Sequence, residues 1–365
     1  MYPSFQLLVK DSTIVAVLSL LFVRDVNSLV TSSSSISTAT CYPKIWTTAT
    51  VDYSAATEYI AEHYNIVNYF GDNHTGQCIE PIWNAREGVI QEDQNGNIVT
   101  PLGSMKGCGF ALMEAPSAVQ NFEDMQQIQK IYQQELQQII PRALDIDPEN
   151  IESIFVWHPM LRGENLTPQG RSESQPAQAN VASMVHMDTD VGAYGLDGII
   201  KLVANNLLDP KSLMNIPKIQ EQIESENRRF IMLNTWRPLV PVHSRPLALW
   251  ATHYQEPNGI FPQHRPCLQK SRWYTFPNMQ PSECLVFKQY DRRLDQSCDF
   301  WHTSVEIPSQ NQIYPPRKSF DVKAMVILKE SVPLELDRLV AATASKLSLA
   351  QSEKFCSEQA RKRGL

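Results

Sequence analysis

From residue 154 to residue 328 the chain reads as a succession of short β-rich runs broken by turn residues. This pattern restricts the fold more than any other feature. The runs are Ile154–Trp157, Val181–His186, Phe230–Trp236, Leu247–Thr252, Arg272–Phe276, Glu283–Tyr290, Phe300–Val305 and Ser319–Leu328. Many short strands separated by turns close into a sandwich or a barrel, because each strand has one face to bury and no single pair can bury it. A stretch of helical periodicity at 195–228 interrupts the series and reads as an insertion.

The flanking regions differ in character. The folded part is expected to begin near Thr47, with a short helix over Ser54–His63 and short strands at Ile79–Trp83 and Gly109–Met113 around a turn-rich stretch at 92–96. Met125, Ile128, Ile131, Tyr132, Leu136, Ile139 and Ile140 recur at helical spacing between Gln, Lys and Glu. That spacing predicts an amphipathic helix packed on the outside of a sheet, ending at Pro141. Residues 334–350 are Ala- and Leu-rich with helical spacing and predict a C-terminal helix. The expected organisation is therefore an N-terminal extension (1–46), an α/β support region (47–150), a β-rich core (151–330), and a C-terminal helix and tail (331–365).

Composition excludes several classes. With 32 basic against 39 acidic residues the net charge is -7, the wrong sign for a general nucleic-acid binder, which displaces counterions with a basic surface. The seven cysteines are odd in number and contain no CxxC pair. A zinc site of the paired-CxxC type is excluded, and reduced thiols in a cytoplasmic chain are the expectation. Residues 14–23 form an apolar run too short to span a bilayer. A leader or membrane association through this run is the alternative to a cytoplasmic location.

Among eight histidines, one lies in an H-x-D pattern within a β-rich run: Val185-His186-Met187-Asp188. Residues two apart on a strand share a face, so imidazole and carboxylate can approach one ion together. They are two of the three groups of the 2-His-1-carboxylate triad that holds non-haem Fe(II) with open positions. A third ligand must come from a later strand, and His302 lies in one. His264 is the alternative third ligand. Fifteen residues after His302 comes Arg317-Lys318-Ser319. Arg and Ser two apart again share a face, and a guanidinium fork matches a carboxylate such as the distal one of 2-oxoglutarate.

The ordered set of motifs resembles the CmcJ/AsaB-like hydroxylase/desaturase family. The matching segments include Trp83-Asn84-Ala85-Arg86, Asn234-Thr235-Trp236-Arg237-Pro238-Leu239, Arg245-Pro246-Leu247-Ala248-Leu249, Arg272-Trp273-Tyr274, Phe287-Lys288-Gln289-Tyr290-Asp291 and Pro316-Arg317-Lys318-Ser319-Phe320-Asp321-Val322-Lys323. The resemblance spans roughly residues 47–328. It implies a mainly β protein with flanking helices, built on a double-stranded β-helix (jelly-roll) core with a helical insertion. It also implies Fe(II), 2-oxoglutarate and O2 as cofactors of an oxygenase in fungal secondary metabolism. Carried over, it puts His186, Asp188 and His302 on iron and Arg317 with Ser319 on 2-oxoglutarate. The chain departs from the family pattern at Trp250-Ala251, at Lys323 and at Phe300-Trp301. The first and third predict a more aromatic pocket.

Further candidates are Asn234 and Tyr274 for the cosubstrate, and Trp236, Arg237, His158 and Trp250 for substrate; Arg162 accompanies His158. The expected partner is a small-molecule natural product of polyketide, terpenoid or alkaloid type, without nucleic acid, in a homodimer or paired with another tailoring enzyme. Two rival readings are a non-catalytic accessory jelly-roll protein and a metal-dependent isomerase or hydrolase.

Overall fold

The computed structural model describes residues 44–64, 70, 76–86, 89–92, 98–101, 105–188, 199–205, 207, 216–252, 271–292, 301–308 and 314–331. The N-terminal extension up to residue 43, the helix expected at 334–350 and the alternative ligand His264 lie outside the described residues.

Two sheets carry the fold. The first has the order β1-β2-β10-β9-β12, built from β1 (Ile45–Asp52), β2 (Gln77–Asn84), β9 (Leu247–Thr252), β10 (Ser271–Thr275) and β12 (His302–Ser304). The second has the order β5-β11-β8-β13-β6-β7, built from β5 (Phe110–Glu114), β6 (Ile151–Gly163), β7 (Ala177–Ala179), β8 (Arg228–Pro238), β11 (Glu283–Asp291) and β13 (Lys318–Ser331). A separate hairpin pairs β3 (Val89–Glu92) with β4 (Ile98–Pro101) around the turn-rich stretch. The two sheets form the sandwich expected for this strand pattern, and the fold is the jelly roll that the family resemblance implies. Strands from the support region, β1, β2 and β5, belong to the two sheets themselves.

Side-chain alternation divides each sheet into two faces. On β13, Phe320, Val322, Ala324, Val326 and Leu328 point into one apolar core, together with Ile231 and Leu233 of β8 and Cys284 and Val286 of β11. An amphipathic helix, α2, covers that face (Met125–Gln127, Ile128–Tyr132 and Gln133–Leu144). Its Met125, Ile128, Tyr132, Leu136, Ile139 and Ile140 are buried there. Asp124 caps its start by accepting from the Gln126 N–H, and a left-handed Asp145 ends it. The helix runs through Pro141 to Leu144 rather than stopping at the proline. Burial of Ile140, Ala143 and Leu144 against the sheet outweighs the backbone bond that Pro141 forfeits.

The opposite face of the second sheet meets the first. Leu285, Phe287 and Trp236 pack on Leu249 and Tyr274 at one end. At the other, Phe230, Met232, Met325 and Ile327 pack on the helical insertion, which contains α3 (Ile216–Glu224) and residues 199–205. Between these apolar ends, β13 presents Ser319, Asp321 and Lys323, so polar side chains gather at the middle of the sandwich. The outer face of the first sheet buries Trp250, Trp273 and Trp301 with Tyr53 and Phe70, under α1 (Ser54–Tyr64).

Candidate metal centre and cosubstrate pocket

His186 is held by a single antiparallel bridge to His302 instead of lying in a longer ladder. Each backbone N–H donates to the other's carbonyl, at 3.1 and 3.0 Å. Directly paired residues point to the same side, so the two rings lie 4.2 Å apart. Asp188, two residues on, brings its carboxylate to the same point. Its Oδ2 lies 3.2 Å from His302 Nε2, and its Oδ1 lies 4.0 Å from His186 Nε2. One ligand atom from each of the three residues falls within 4.8 Å of the others.

The surroundings prepare these groups for a cation. His186 Nδ1 lies 2.8 Å from the Met184 carbonyl, which puts the proton on Nδ1 and leaves the Nε2 lone pair facing Asp188. Burial, and then the neighbouring His302, push the His186 pKa down to about 4, so the imidazole stays neutral. Burial works against ionisation of Asp188, but Lys323 and the two histidines outweigh it and hold the carboxyl well below its usual range. Gln289 accepts the Asp188 N–H at 2.9 Å, and the Asn234 amide nitrogen donates to Oδ2. Two imidazoles and one carboxylate on one side of a cavity are the donor set of a non-haem Fe(II) site.

Arg317 lines the same pocket. It is 3% exposed. Nη1 donates to the Arg245 carbonyl at 2.7 Å and to Ser304 Oγ at 2.9 Å, and Nε donates to Ser319 Oγ at 3.3 Å. The guanidinium carbon stands 5.0 Å from the Trp236 ring centroid. No carboxylate among the described residues pairs with this side chain. Burial, and then repulsion from Arg162, lower its pKa to about 9. A buried cation held by neutral oxygens and stacked on an indole is suited to an entering carboxylate. Arg245, whose carbonyl it uses, has a left-handed backbone with φ 45°.

Two bulges complete the site. On β6, His158 and Pro159 together oppose the single Val322 of β13, with His158 left-handed at φ 54°. The extra residue switches the facing of the strand. Trp157 and Arg162 therefore point to the same side, and Arg162 Nε reaches Asp321 Oδ1 at 2.9 Å within the pocket. His158 is close enough for burial and then Lys323 to lower its pKa. On β11, the register slips between Lys288 and Tyr290, and the extra residue is Gln289, which meets the Asp188 backbone.

The sequence-derived candidates fall into two groups. His186, Asp188, His302, Arg317, Asn234 and Trp236 surround one pocket, and Ser319 stands behind Arg317. Asn234 contacts Asp188. Tyr274 is buried in the apolar end beside Phe110 and does not line the pocket. Arg237 points to the helix-covered face, where Nη1 donates to the Pro281 carbonyl at 2.9 Å. Trp250 belongs to the outer aromatic cluster with Trp273 and Trp301. The aromatic departures from the family pattern thus thicken the outer face of the first sheet, because Trp250 and Trp301 alternate with the inward Leu249 and His302. Sequence reasoning did not assign roles to Lys323, Gln289 and Asp321. The available signal was parity with Ser319, which places Asp321 and Lys323 on its face.

The description "oxidoreductase/YMDC permease-like domain" fits residues 102–327. The chain belongs to this oxidoreductase family. A curated relative, the Fe(II)/2-oxoglutarate-dependent dioxygenase nvfI of Aspergillus novofumigatus, is 30% identical over 113 residues, covering 27% of this chain and 41% of the relative. The chain thus matches less than half the length of that relative. Among solved structures, the iron and alpha-ketoglutarate-dependent endoperoxidase NvfI aligns at 17% identity with a TM-score of 0.46, over 70% of this chain and 87% of that one. EvdO2 from Micromonospora carbonacea var. aurantiaca aligns at 11% identity with a TM-score of 0.28, over 63% and 92%. Among the described residues, no helix is long and apolar enough to cross a membrane.

Proposed function

We propose that this member of the oxidoreductase family is an Fe(II)/2-oxoglutarate-dependent oxygenase acting on a small-molecule natural product, of the CmcJ/AsaB-like hydroxylase/desaturase type. The observation that carries the reading is the convergence, in one pocket, of the His186–Asp188–His302 donor set with a buried Arg317 that has no carboxylate partner among the described residues.

His186, Asp188 and His302 would hold the iron, and Arg317, steadied by Ser319, Ser304 and the Arg245 carbonyl, would take the distal carboxylate of 2-oxoglutarate. Together with O2 these cofactors supply the oxidation of a substrate C–H bond. The Met184 carbonyl keeps His186 in the ligating tautomer. Phe287 and Trp236 give the pocket apolar walls that exclude water. Arg162, Asp321 and His158 provide the polar contacts available to a substrate on the β6 side.

The test is anaerobic. Fe(II) is added to the metal-free protein, 2-oxoglutarate is titrated in, and the visible metal-to-ligand charge-transfer band is followed. A saturable band in the wild type that vanishes in a folded Asp188→Ala variant is the expected result. Iron-loaded, folded wild-type protein with no band would remove 2-oxoglutarate from the mechanism and favour an accessory role.

A further inference from the structure

The Asp188 carboxylate is asymmetrically held, and the asymmetry comes from a residue with no role in the reading above. Lys323 Nζ lies 3.0 Å from Oδ1, while Oδ2 faces His302 Nε2 at 3.2 Å. Lys323 is 8% exposed, and its ammonium stands 5.6 Å from the Trp157 ring centroid. It emerges from the centre of β13, opposite Asn234 of β8 and Trp157 of β6. The ammonium is therefore fixed by the sheet rather than swinging on a free stem. Its only carboxylate contact within ion-pair distance among the described residues is Asp188.

We propose that Lys323 is a positioning residue that selects Oδ2 of Asp188 as the metal ligand and weakens the carboxylate as an electron donor. This inference rests on the Fe(II)/2-oxoglutarate reading. An oxygen that accepts a charged hydrogen bond gives up electron density to it. Oδ1 takes the charged donor, whereas Oδ2 accepts from the neutral Asn234 amide and faces His302 Nε2, so Oδ2 keeps more electron density beside the histidine nitrogens. A lysine at this distance also places a positive charge next to the metal position, which lowers the energy of the electrons a bound Fe(II) would give up.

The measurement is the position of the Fe(II)–2-oxoglutarate charge-transfer band in wild type, Lys323→Met and Lys323→Arg, with far-UV circular dichroism to establish folding. Removing the cation should move the band to longer wavelength in Lys323→Met, and Lys323→Arg should restore the wild-type position. Co(II) binding without 2-oxoglutarate supplies a second readout, in which the d–d absorption envelope of Lys323→Met should differ from that of the wild type. Unshifted bands in folded Lys323→Met, or a Lys323→Arg band displaced as far as that of Lys323→Met, would overturn the proposal. If Lys323→Met does not fold, Lys323→Gln takes its place under the same criteria. A wild type that binds Co(II) at this site but gives no band with Fe(II) and 2-oxoglutarate would instead count against the functional reading, and the Co(II) comparison would still decide the role of Lys323.

Discussion

Replacing Arg317 by Met should strengthen the ligand-free protein while abolishing its response to 2-oxoglutarate. The folded pocket lowers the Arg317 pKa from its ordinary value to about 9. At about 1.4 kcal/mol per pH unit, that drop corresponds to a cost of about 5 kcal/mol for keeping the cation in the pocket. The unfolded chain holds this proton up to the ordinary guanidinium pKa and the folded chain only up to about 9. Stability therefore rises with pH between those values, and the whole cost is present below pH 9, including neutral pH. Against it stand three hydrogen bonds, to Arg245, Ser304 and Ser319, each worth about 1 kcal/mol net. Methionine fills a similar volume without charge, so the balance favours Arg317→Met by about 2 kcal/mol. Urea unfolding at pH 7 with and without 2-oxoglutarate reads both consequences. The wild type should gain stability as the dianion is added, following the logarithm of ligand over Kd; the variant should start higher and gain nothing. A variant that unfolds about 2 kcal/mol more easily than wild type, or that still gains stability from 2-oxoglutarate, would refute the assignment of Arg317 as an uncompensated cation awaiting a carboxylate.

Other outcomes follow from the same geometry. Because the folded His186 titrates at about 4 against 6.5 when free, the unfolded chain binds the extra proton first as pH falls. The metal-free protein should therefore lose stability progressively from about pH 6.5 towards 4, and His186→Gln should flatten that part of a pH series of urea midpoints. Phe320 is fully buried and packs on Phe122 and Tyr132 at 5.0 and 5.5 Å between ring centroids. Phe320→Ala should cost about 3–5 kcal/mol in chemical denaturation, an effect confined to the helix-covered face and so leaving the charge-transfer band in place.

Much of the site could be read from spacing because a strand has a period of two. Parity alone pairs His186 with Asp188 and Arg317 with Ser319; the first pair and Arg317 line one pocket, and Ser319 holds Arg317 from behind. The same rule failed for Trp250 and Trp301. Parity says that Trp250 opposes Leu249, but only pairing with β10 and β12 decides which of the two faces the other sheet. Arg237 shares a motif with Trp236 but points to the opposite face, and Tyr274 faces inward at the apolar end of the sandwich rather than at the pocket.

The sequence by itself determined the class of fold, most strand positions, the amphipathic helix over the sheet, and the short-range pairs of ligating groups, since all of these depend on local periodicity and turn chemistry. Only the tertiary structure decided which groups converge. The bridge between His186 and His302 spans more than a hundred residues, and nothing local encodes it. The β6 bulge at His158 turns Arg162 into the pocket against strict alternation, and the β11 bulge delivers Gln289 to the Asp188 backbone. Lys323 reads as one more cation in a strand until β13 is set between β6 and β8; the packing of three strands is what carries its ammonium to one oxygen of the metal-binding carboxylate.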